Sequence, residues 1–585
     1  MTFKHRLARR LAQSRTIGGA IALTLFSACS GGSDTAGPTP DSLVAATPKP
    51  GTITSVQNAS KCLDVTGEST KDGTALITYA CNGGSNQAFT YYTDTQELRV
   101  YNGTKCVDAT GELGRDGDPI IIWSCNGGAN QKWQWTSAKE IKGINGKCID
   151  LSGGSAANMA KLILKTCSGA SSQKWDASRV MVAGTTPPPP PPSGSGEQAR
   201  AADDFVNSIG LNTHLFYTNT PYYTAYGSVV KPRLQELGVR HIRDHAIRMT
   251  DGNANMLRSR LQDLASIGTR SLLILDERYV SPSEGLAFVK SVGSAVDAVE
   301  GWNEPDRRYS RTDFSWVSKA KAYMSSTWSL FKADPATASL PIGSPSFDLF
   351  ATAGYMGDMS GWINFGSIHP YPLWPNYPTY TDRVQAYKNA FSGNYRNRPF
   401  WVTETGYHTG APGSDRPVSL AVHGKYTPRM LLEYFNRGIE RNYNYALIDQ
   451  CTTYTNRECA FGLLKYDGSP KPAFIAVKNL IAVLKDPGAG FTPGKLEYSL
   501  SGSTSGLHRA LFQKRNGTFY LVLWLEVASS DTDRSQSVTL NLARAAASVR
   551  TYLPKTSATP VLQKANVTTV SLAVPDHPLV VEITP

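Results

Sequence analysis

At 585 residues the chain is too long for one hydrophobic core, and at roughly 100–200 residues per domain it calls for three or four. Hydrophobic residues make up 41% and charged residues 18%, the balance of a folded chain and not of a disordered one. The net charge of +12 is spread along the sequence without basic patches beyond the N-terminus, which argues against nucleic acid as a partner.

The N-terminus explains its own charge. Lys4, Arg6, Arg9, Arg10 and Arg15 precede an apolar run at 17–28 that is too short to span a bilayer and is followed by small residues. Residues 1–29 therefore read as an export signal. Its end, Leu-Phe-Ser-Ala-Cys, resembles the lipobox of bacterial lipoproteins, which implies lipidation of Cys29 and a bacterial cell-surface location. Simple cleavage and full secretion is the alternative, so membrane contact is expected only through that anchor. Of nine cysteines, eight remain once Cys29 is set aside, an even number in an exported chain, where oxidised pairs are allowed.

Residues 30–50 form a Gly/Ser/Thr/Pro tether. Residues 51–178 then repeat one motif three times, at Lys61-Cys62, Lys105-Cys106 and Lys147-Cys148, each followed by apolar-Asp and a small polar pair. In each copy a second Cys follows 19 residues on, predicting the pairs Cys62 with Cys81, Cys106 with Cys125 and Cys148 with Cys167. Each copy closes on Gln-x-aromatic, at Phe89, Trp133 and Trp175, which read as core. Copies this short bury a face only against one another, and a disulfide staples each. The set resembles the ricin B-type lectin family, which implies a β-trefoil. It also implies sugar contacts from Asp64, Tyr79, Asn86 and Gln87 in the first copy and Asp108, Trp123, Asn130 and Gln131 in the second. An aromatic ring takes the apolar face of a pyranose, and the carboxylate takes its hydroxyls. The third copy keeps Asp150 but has Lys165 for the aromatic and Ser172 for the Asn, so no site is expected there.

Residues 179–196, with prolines 187–192, form a semi-rigid linker. Beyond it, strand-like segments at 207–214, 239–244, 271–276, 295–302, 341–344, 365–369, 400–404 and 444–449 alternate with amphipathic stretches. One such stretch runs from Ser310, with Asp313 as capping-box partner, through Trp316, Ala320, Tyr323, Thr327 and Phe331. Eight such alternations over residues 197–489 predict a (β/α)8 TIM barrel. From 490 to 585 the helical period gives way to short alternating runs such as TFYLVLWL at 518–525, predicting a small β-sandwich.

Two glutamates end barrel strands. Glu304 follows the strand at 295–302, and Pro305 is expected to hold it extended, prolonging the strand. Glu404 ends the strand at 400–404. Chemistry in such barrels sits at the C-terminal strand ends, where two carboxylates facing each other can break a glycosidic bond. Trp302-Asn303-Glu304-Pro305 and Thr403-Glu404-Thr405-Gly406 look like the strand-four and strand-seven signatures of clan A glycoside hydrolases, most like family 39 and family 5 enzymes. The matches extend to Arg243 at the second strand end, His369 at the sixth, and Tyr371 and Trp374 in the loop after it.

That resemblance implies a retaining glycoside hydrolase acting on a polysaccharide, with Glu304 as acid/base and Glu404 as nucleophile. It further implies Asn303 at the sugar 2-hydroxyl, and His369 and Tyr407 orienting the nucleophile. Glu304 should then have a raised pKa, and Glu404 should stay ionised with help from neighbours such as Arg243. A non-catalytic surface carbohydrate-binding protein and an exo-acting glycosidase are the alternatives. Glu300 is expected as a scaffold ion pair, Asp306 as a solvated loop charge, and Cys451 with Cys459 as a disulfide closing a loop at the site's rim. No cofactor motif is read. His214 and His245 lack partners at ligand spacing, so no metal site is read either.

Overall fold

The computed structural model describes residues 51–585 apart from 93–94, 102, 112, 179, 184–195, 309–313, 350–351, 411–415 and 454–455. The expected export signal with Cys29, the expected tether and prolines 187–192 lie outside the described residues, as do Ser310 and Asp313.

The three repeats form a β-trefoil. Each contributes an antiparallel hairpin: Lys61–Val65 with Thr74–Ala80, Lys105–Ala109 with Ile120–Ser124, and Cys148–Leu151 with Ala160–Lys165. The inward faces meet in one core that includes Leu63, Val107, Ile149, Phe89, Trp133 and Trp175. The two tryptophans also satisfy their ring N–H in equivalent places, on Val107 O at 2.8 Å and Ile149 O at 3.0 Å. Disulfides join Cys62 to Cys81, Cys106 to Cys125 and Cys148 to Cys167, one per copy.

The central unit is a TIM barrel of eight parallel strands: β1 (Ile209–Asn212), β2 (His241–His245), β3 (Arg270–Ile274), β4 (Val296–Glu300), β5 (Ile342–Gly343), β6 (Gly366–Ile368), β7 (Phe400–Thr405) and β8 (Arg441–Asn444). They pair in sequence order, β1 pairs β8, and a bridge from Gly343 to Phe365 closes the ring. Leu272, Ala298, Phe365, Trp401 and Tyr443 fill the interior, with Phe365 stacked on Trp401 at 3.8 Å between ring centroids. Gly343 makes room for that stack, since a Cβ there would lie 2.3 Å from the Phe365 ring. With this layer packed, polar side chains on β2, β4 and β7 gather at the C-terminal ends.

Two expectations shift. The eighth strand is Arg441–Asn444, not 444–449. Its polar residues disguise it: Tyr443 points into the barrel and Arg441 lies 5.0 Å from the Trp401 ring. The apolar residues after it pair with 461–464 instead, Ala446 N donating to Phe461 O at 3.1 Å. The long helix begins at Ser315 and runs to Ala333, with Trp316, Ala320, Tyr323, Thr327 and Phe331 buried as the periodicity requires.

The C-terminal strands β9 (Tyr498–Gly502), β10 (Leu507–Gln513), β11 (Phe519–Leu525), β12 (Ser535–Tyr552), β13 (Pro560–Pro575) and β14 (Leu579–Thr584) form one mixed sheet. The early half of β12 pairs β9, and its late half, beyond a register shift between Asn541 and Ala546, pairs β14. One long strand thus joins both parts of a single mixed sheet, where a small sandwich was expected. Arg200–Ala201 pairs in parallel with β10, so the chain enters the barrel by way of this sheet.

Candidate functional site

Arg243 on β2 organises the barrel mouth. It is buried, and its guanidinium donates to Glu300 Oε2 at 2.6 Å, Asn212 Oδ1 at 2.9 Å, Asn303 Oδ1 at 2.6 Å and Glu404 Oε2 at 3.1 Å. Glu300 is fully buried in this pair and is a scaffold residue. Glu404 Oε1 accepts from Tyr371 OH at 2.6 Å. Glu404 reaches this position through an extra residue on β7: Val402 pairs Asn442 and Thr405 pairs Asn444, so three steps on β7 face two on β8. Such a bulge re-aims a side chain, and here Thr403 and Glu404 both turn toward the site.

Glu304 lies opposite. One oxygen of Glu304, one of Glu404 and one ring nitrogen of His369 all fall within 4.8 Å of one another. His369 Nδ1 donates to Glu304 Oε1 at 2.8 Å, and Nε2 lies 3.1 Å from Thr403 Oγ1. Its distance to Glu404 is 4.0 Å, so the ring orients Glu304 and not, as expected, the nucleophile candidate. Arg307 Nη1 donates to Glu304 Oε2 at 3.4 Å.

The backbone at Glu304 is not extended. β4 ends at Glu300, Glu304 has φ of 46°, and Pro305 starts a short helix, Pro305–Arg308. A non-glycine residue in this region costs on the order of 1–3 kcal/mol and persists only where its surroundings hold it. Here they do: Glu304 N donates to Ser346 O at 3.1 Å, and His369 and Arg307 hold the carboxylate. Asp306, expected in solvent, is buried; it accepts from Leu349 N at 2.9 Å and Thr352 Oγ1 at 2.8 Å and ties the β4 loop to the β5 loop.

The electrostatics reverse the expected protonation order. Burial pushes the Glu304 carboxyl up, but the His369 hydrogen bond and charge, with Arg307 and Arg243, outweigh it and hold it at about 2. Burial raises Glu404, Glu304's charge adds to this, and His369, Arg243 and Tyr371 oppose it without winning. Burial alone would lower His369, yet the two carboxylates outweigh it and raise the imidazole.

Two cavities meet at the carboxylates. One of about 290 Å³ is lined by Asn303, Arg243 and Glu304 together with His214, His245, Tyr217 and Tyr279. The other, of about 510 Å³, is lined by Tyr371, Trp374, Phe461 and several arginines. Glu404, Arg307 and Glu458 line both. Trp374 is fixed by its N–H on Gly406 O at 2.9 Å. The loop closed by Cys451–Cys459 supplies Arg457 and Glu458. His214 and His245 are cavity residues whose imidazoles burial keeps neutral; the sequence placed them at strand ends without assigning them a site. Tyr407 is a correction. It is fully buried outside both cavities, its OH donating to Asn376 O at 3.0 Å, and it packs on Tyr426.

On the trefoil, Tyr79 and Trp123 are 39% and 42% exposed, each at the end of a hairpin that also carries a buried Asp64 or Asp108. The Asn86 and Asn130 Oδ1 atoms are buried without protein partners, and Asn130 Nδ2 donates to Asp108 Oδ1 at 2.9 Å. The glutamines do not fit as sugar contacts. Gln87 Nε2 donates to Asp64 Oδ2 and Ala80 O, and its Oε1 accepts from Asn82 N and Gly83 N. Gln131 repeats the pattern with Asp108, Ser124, Asn126 and Gly127. Each amide's donors are spent, so both residues clamp the site. In the third copy Lys165 Nζ lies 3.9 Å from Asp150 Oδ2, where the other copies present a ring.

The ricin-type beta-trefoil lectin domain family matches residues 49–175. No curated protein sequence matches the chain. Among solved structures, the chain is similar to a family 39 glycoside hydrolase from the gut symbiont Bacteroides cellulosilyticus WH2, at 14% identity and a TM-score of 0.47, covering 82% of this chain and 94% of that one. It is also similar to a glucosidase from Croceicoccus marinus (13% identity, TM-score 0.46, 67% and 98% covered). A designed three-fold symmetric protein, ThreeFoil, is similar at 28% identity with a TM-score of 0.20, covering 21% of this chain and 94% of that one.

Proposed function

We propose that the protein is an exported, surface-anchored or secreted glycoside hydrolase that cleaves a polysaccharide by a retaining double displacement, with the trefoil holding the same or a neighbouring glycan. The observation that carries this reading is the approach of Glu304 and Glu404 within 4.8 Å through one oxygen each, at the meeting point of two cavities. A retaining pair sits about 5–5.5 Å apart, whereas an inverting pair leaves room for a water at about 6.5–9.5 Å.

Glu404, aimed by Arg243 and Tyr371, attacks the anomeric carbon. Glu304 gives its proton to the leaving oxygen, so it must first gain one. His369, 2.8 Å away and with its pKa raised by the two carboxylates, is the group placed to supply it as the leaving oxygen arrives. Once Glu404 becomes a neutral ester, Glu304 recovers the environment of a base and activates water. Asn303, held by Arg243, offers its amide to the sugar beside the reacting carbon.

The test is reducing-end release across a polysaccharide panel by the wild-type chain and by Glu404→Gln. Release by the first and none by the second is expected; equal release by both sinks the assignment. Lipidation at Cys29 is checked by the mass of the mature N-terminus, where an unmodified, cleaved N-terminus contradicts it.

A further inference from the structure

The larger cavity carries an excess of positive charge. Arg307, Arg383, Arg416 and Arg457 line it, against Asp348, Glu404 and Glu458. With Glu404 reserved for the reaction, four guanidinium groups face two carboxylates. Arg457 donates to Glu458 at 3.2 Å and Arg307 to Glu304 at 3.4 Å. Among the described residues, neither Arg383 nor Arg416 has a carboxylate within 4.0 Å.

Arg383 is oddly placed for a structural cation. It is the first residue of the helix Arg383–Tyr395, where the macrodipole disfavours positive charge. Its neighbour Asp382 does not compensate it, because both Asp382 oxygens accept from Arg437, at 2.8 and 3.1 Å. Arg383 Nε is buried without a hydrogen-bond partner. Arg416 sits exposed at φ of 58°, another conformation that disfavours a side chain. Arg383 lies 5.8 Å from the Tyr387 ring, yet no carboxylate among the described residues answers either charge, and both residues face the same cavity.

We propose that the substrate is an anionic glycan, bearing sugar carboxylates or sulfate esters, whose charged group is taken by Arg383 and Arg416 in the cavity beside the scissile bond. This rests on the hydrolase reading above. Guanidinium forks match planar or tripodal oxyanions in a way that neutral hydroxyls do not exploit. Tyr371, Trp374 and Phe461 supply ring faces for the rest of the sugar. The arrangement also links recognition to chemistry: an anionic group that draws Arg307 away from Glu304 weakens one of the holds that keep this carboxyl ionised.

The test uses the full chain and pairs each anionic polymer with its neutral counterpart: uronate polymers beside carboxyl-reduced forms, and sulfated galactans beside desulfated ones. At least one anionic form should be cleaved with kcat/KM about 10-fold or more above its counterpart, with the preference shrinking as salt rises. The productive arm tells carboxylate from sulfate. Arg383→Gln and Arg416→Gln should each raise KM on that polymer several-fold, with kcat nearly kept and Arg383→Lys partly restoring it. Arg416→Gln, on an exposed loop, guards against misfolding. Retardation of Glu404→Gln by the same polymers, with and without the two arginine changes, reads binding where turnover is slow. Equal or better use of the neutral forms, or equal losses on both, overturns the inference and leaves the hydrolase reading standing. No cleavage of any polymer and no retardation overturns both.

Discussion

Two clusters in this molecule contain the same side chains. At the barrel mouth Glu304, His369 and Glu404 gather around Arg243. Between the barrel and the C-terminal sheet, Glu433, His508 and Glu526 gather beside Arg429, again with one atom of each of the three acid and imidazole groups within 4.8 Å of the others. In the second cluster every carboxylate oxygen is taken. Arg429 donates to Glu526 Oε2 at 2.8 Å, to Ser529 Oγ at 3.0 Å, and to the carbonyls of Val527 and Asp576. Trp524 Nε1 donates to Glu433 at 2.9 Å, His508 Nδ1 donates to Glu433, and Thr379 covers the other oxygen of Glu526. That cluster lines neither cavity and fastens the helix Leu420–Asn436 to the sheet. Residue types alone therefore do not mark chemistry; the cleft differs by opening onto two cavities.

Exchanging residues between these roles should separate them. The largest effect is expected from Glu404→Gln, a loss of kcat beyond about 10⁴-fold with an unchanged melting midpoint, because the proposed nucleophile has no stand-in. Glu304→Gln should lose about 10²–10⁴-fold on polysaccharide, the worth of a general acid, and far less on an aryl glycoside whose leaving group needs no proton. In the sealed cluster, Arg429→Ala leaves Glu526 buried and uncompensated. Unfolding should become easier by about 3–5 kcal/mol, with the kcat of the remaining folded enzyme kept. A catalytic loss there, or a stability loss of that size at Glu404, would erase the distinction.

Acid should loosen both clusters. Glu304 and Glu433 are held at about 2, against an ordinary value of 4.5. For Glu433, burial pushes up, and His508 and Arg437 outweigh it. A depressed carboxyl adds its full stability above the unfolded value and loses it as pH falls through the folded one. The melting midpoint should thus fall between about pH 4.5 and 2, and Glu304→Gln and Glu433→Gln should each flatten that fall. An unchanged slope in both variants contradicts the pairing. The smallest effect lies on the trefoil. Trp123→Ala should weaken retention on insoluble glycan by about 2- to 10-fold, the worth of one stacked ring, and leave turnover of a short soluble substrate alone.

What could be read from the sequence was what is local or repeated. The trefoil announced itself because three copies spell one motif, and the cysteine spacing fixed its staples. Glu304 and Glu404 were legible because each follows an apolar strand in a recognisable motif. Their handling was not. The bulge that turns Glu404 inward depends on how β7 pairs with β8, whose Arg441-Asn442-Tyr443-Asn444 reads as a loop. The left-handed turn at Glu304 overrides the local bias that Pro305 imposes, because Ser346, His369 and Arg307 come from outside the segment or from the turn beyond it. His369 was expected at the wrong glutamate, Tyr407 in the cleft, and Asp306 in solvent, each for the same reason: loop paths decide which side chains meet. Arg383 gave no signal at all, since its place at the cavity follows from where a helix begins in space.

The central claim is that Glu404 carries the sugar. It is tested most directly by inactivating the protein with an activated 2-fluoro-glycoside and mapping the labelled peptide by mass spectrometry. The account expects one covalent glycosyl group per chain, on Glu404, absent from Glu404→Gln and retained in Glu304→Gln. A label on any other residue would contradict it.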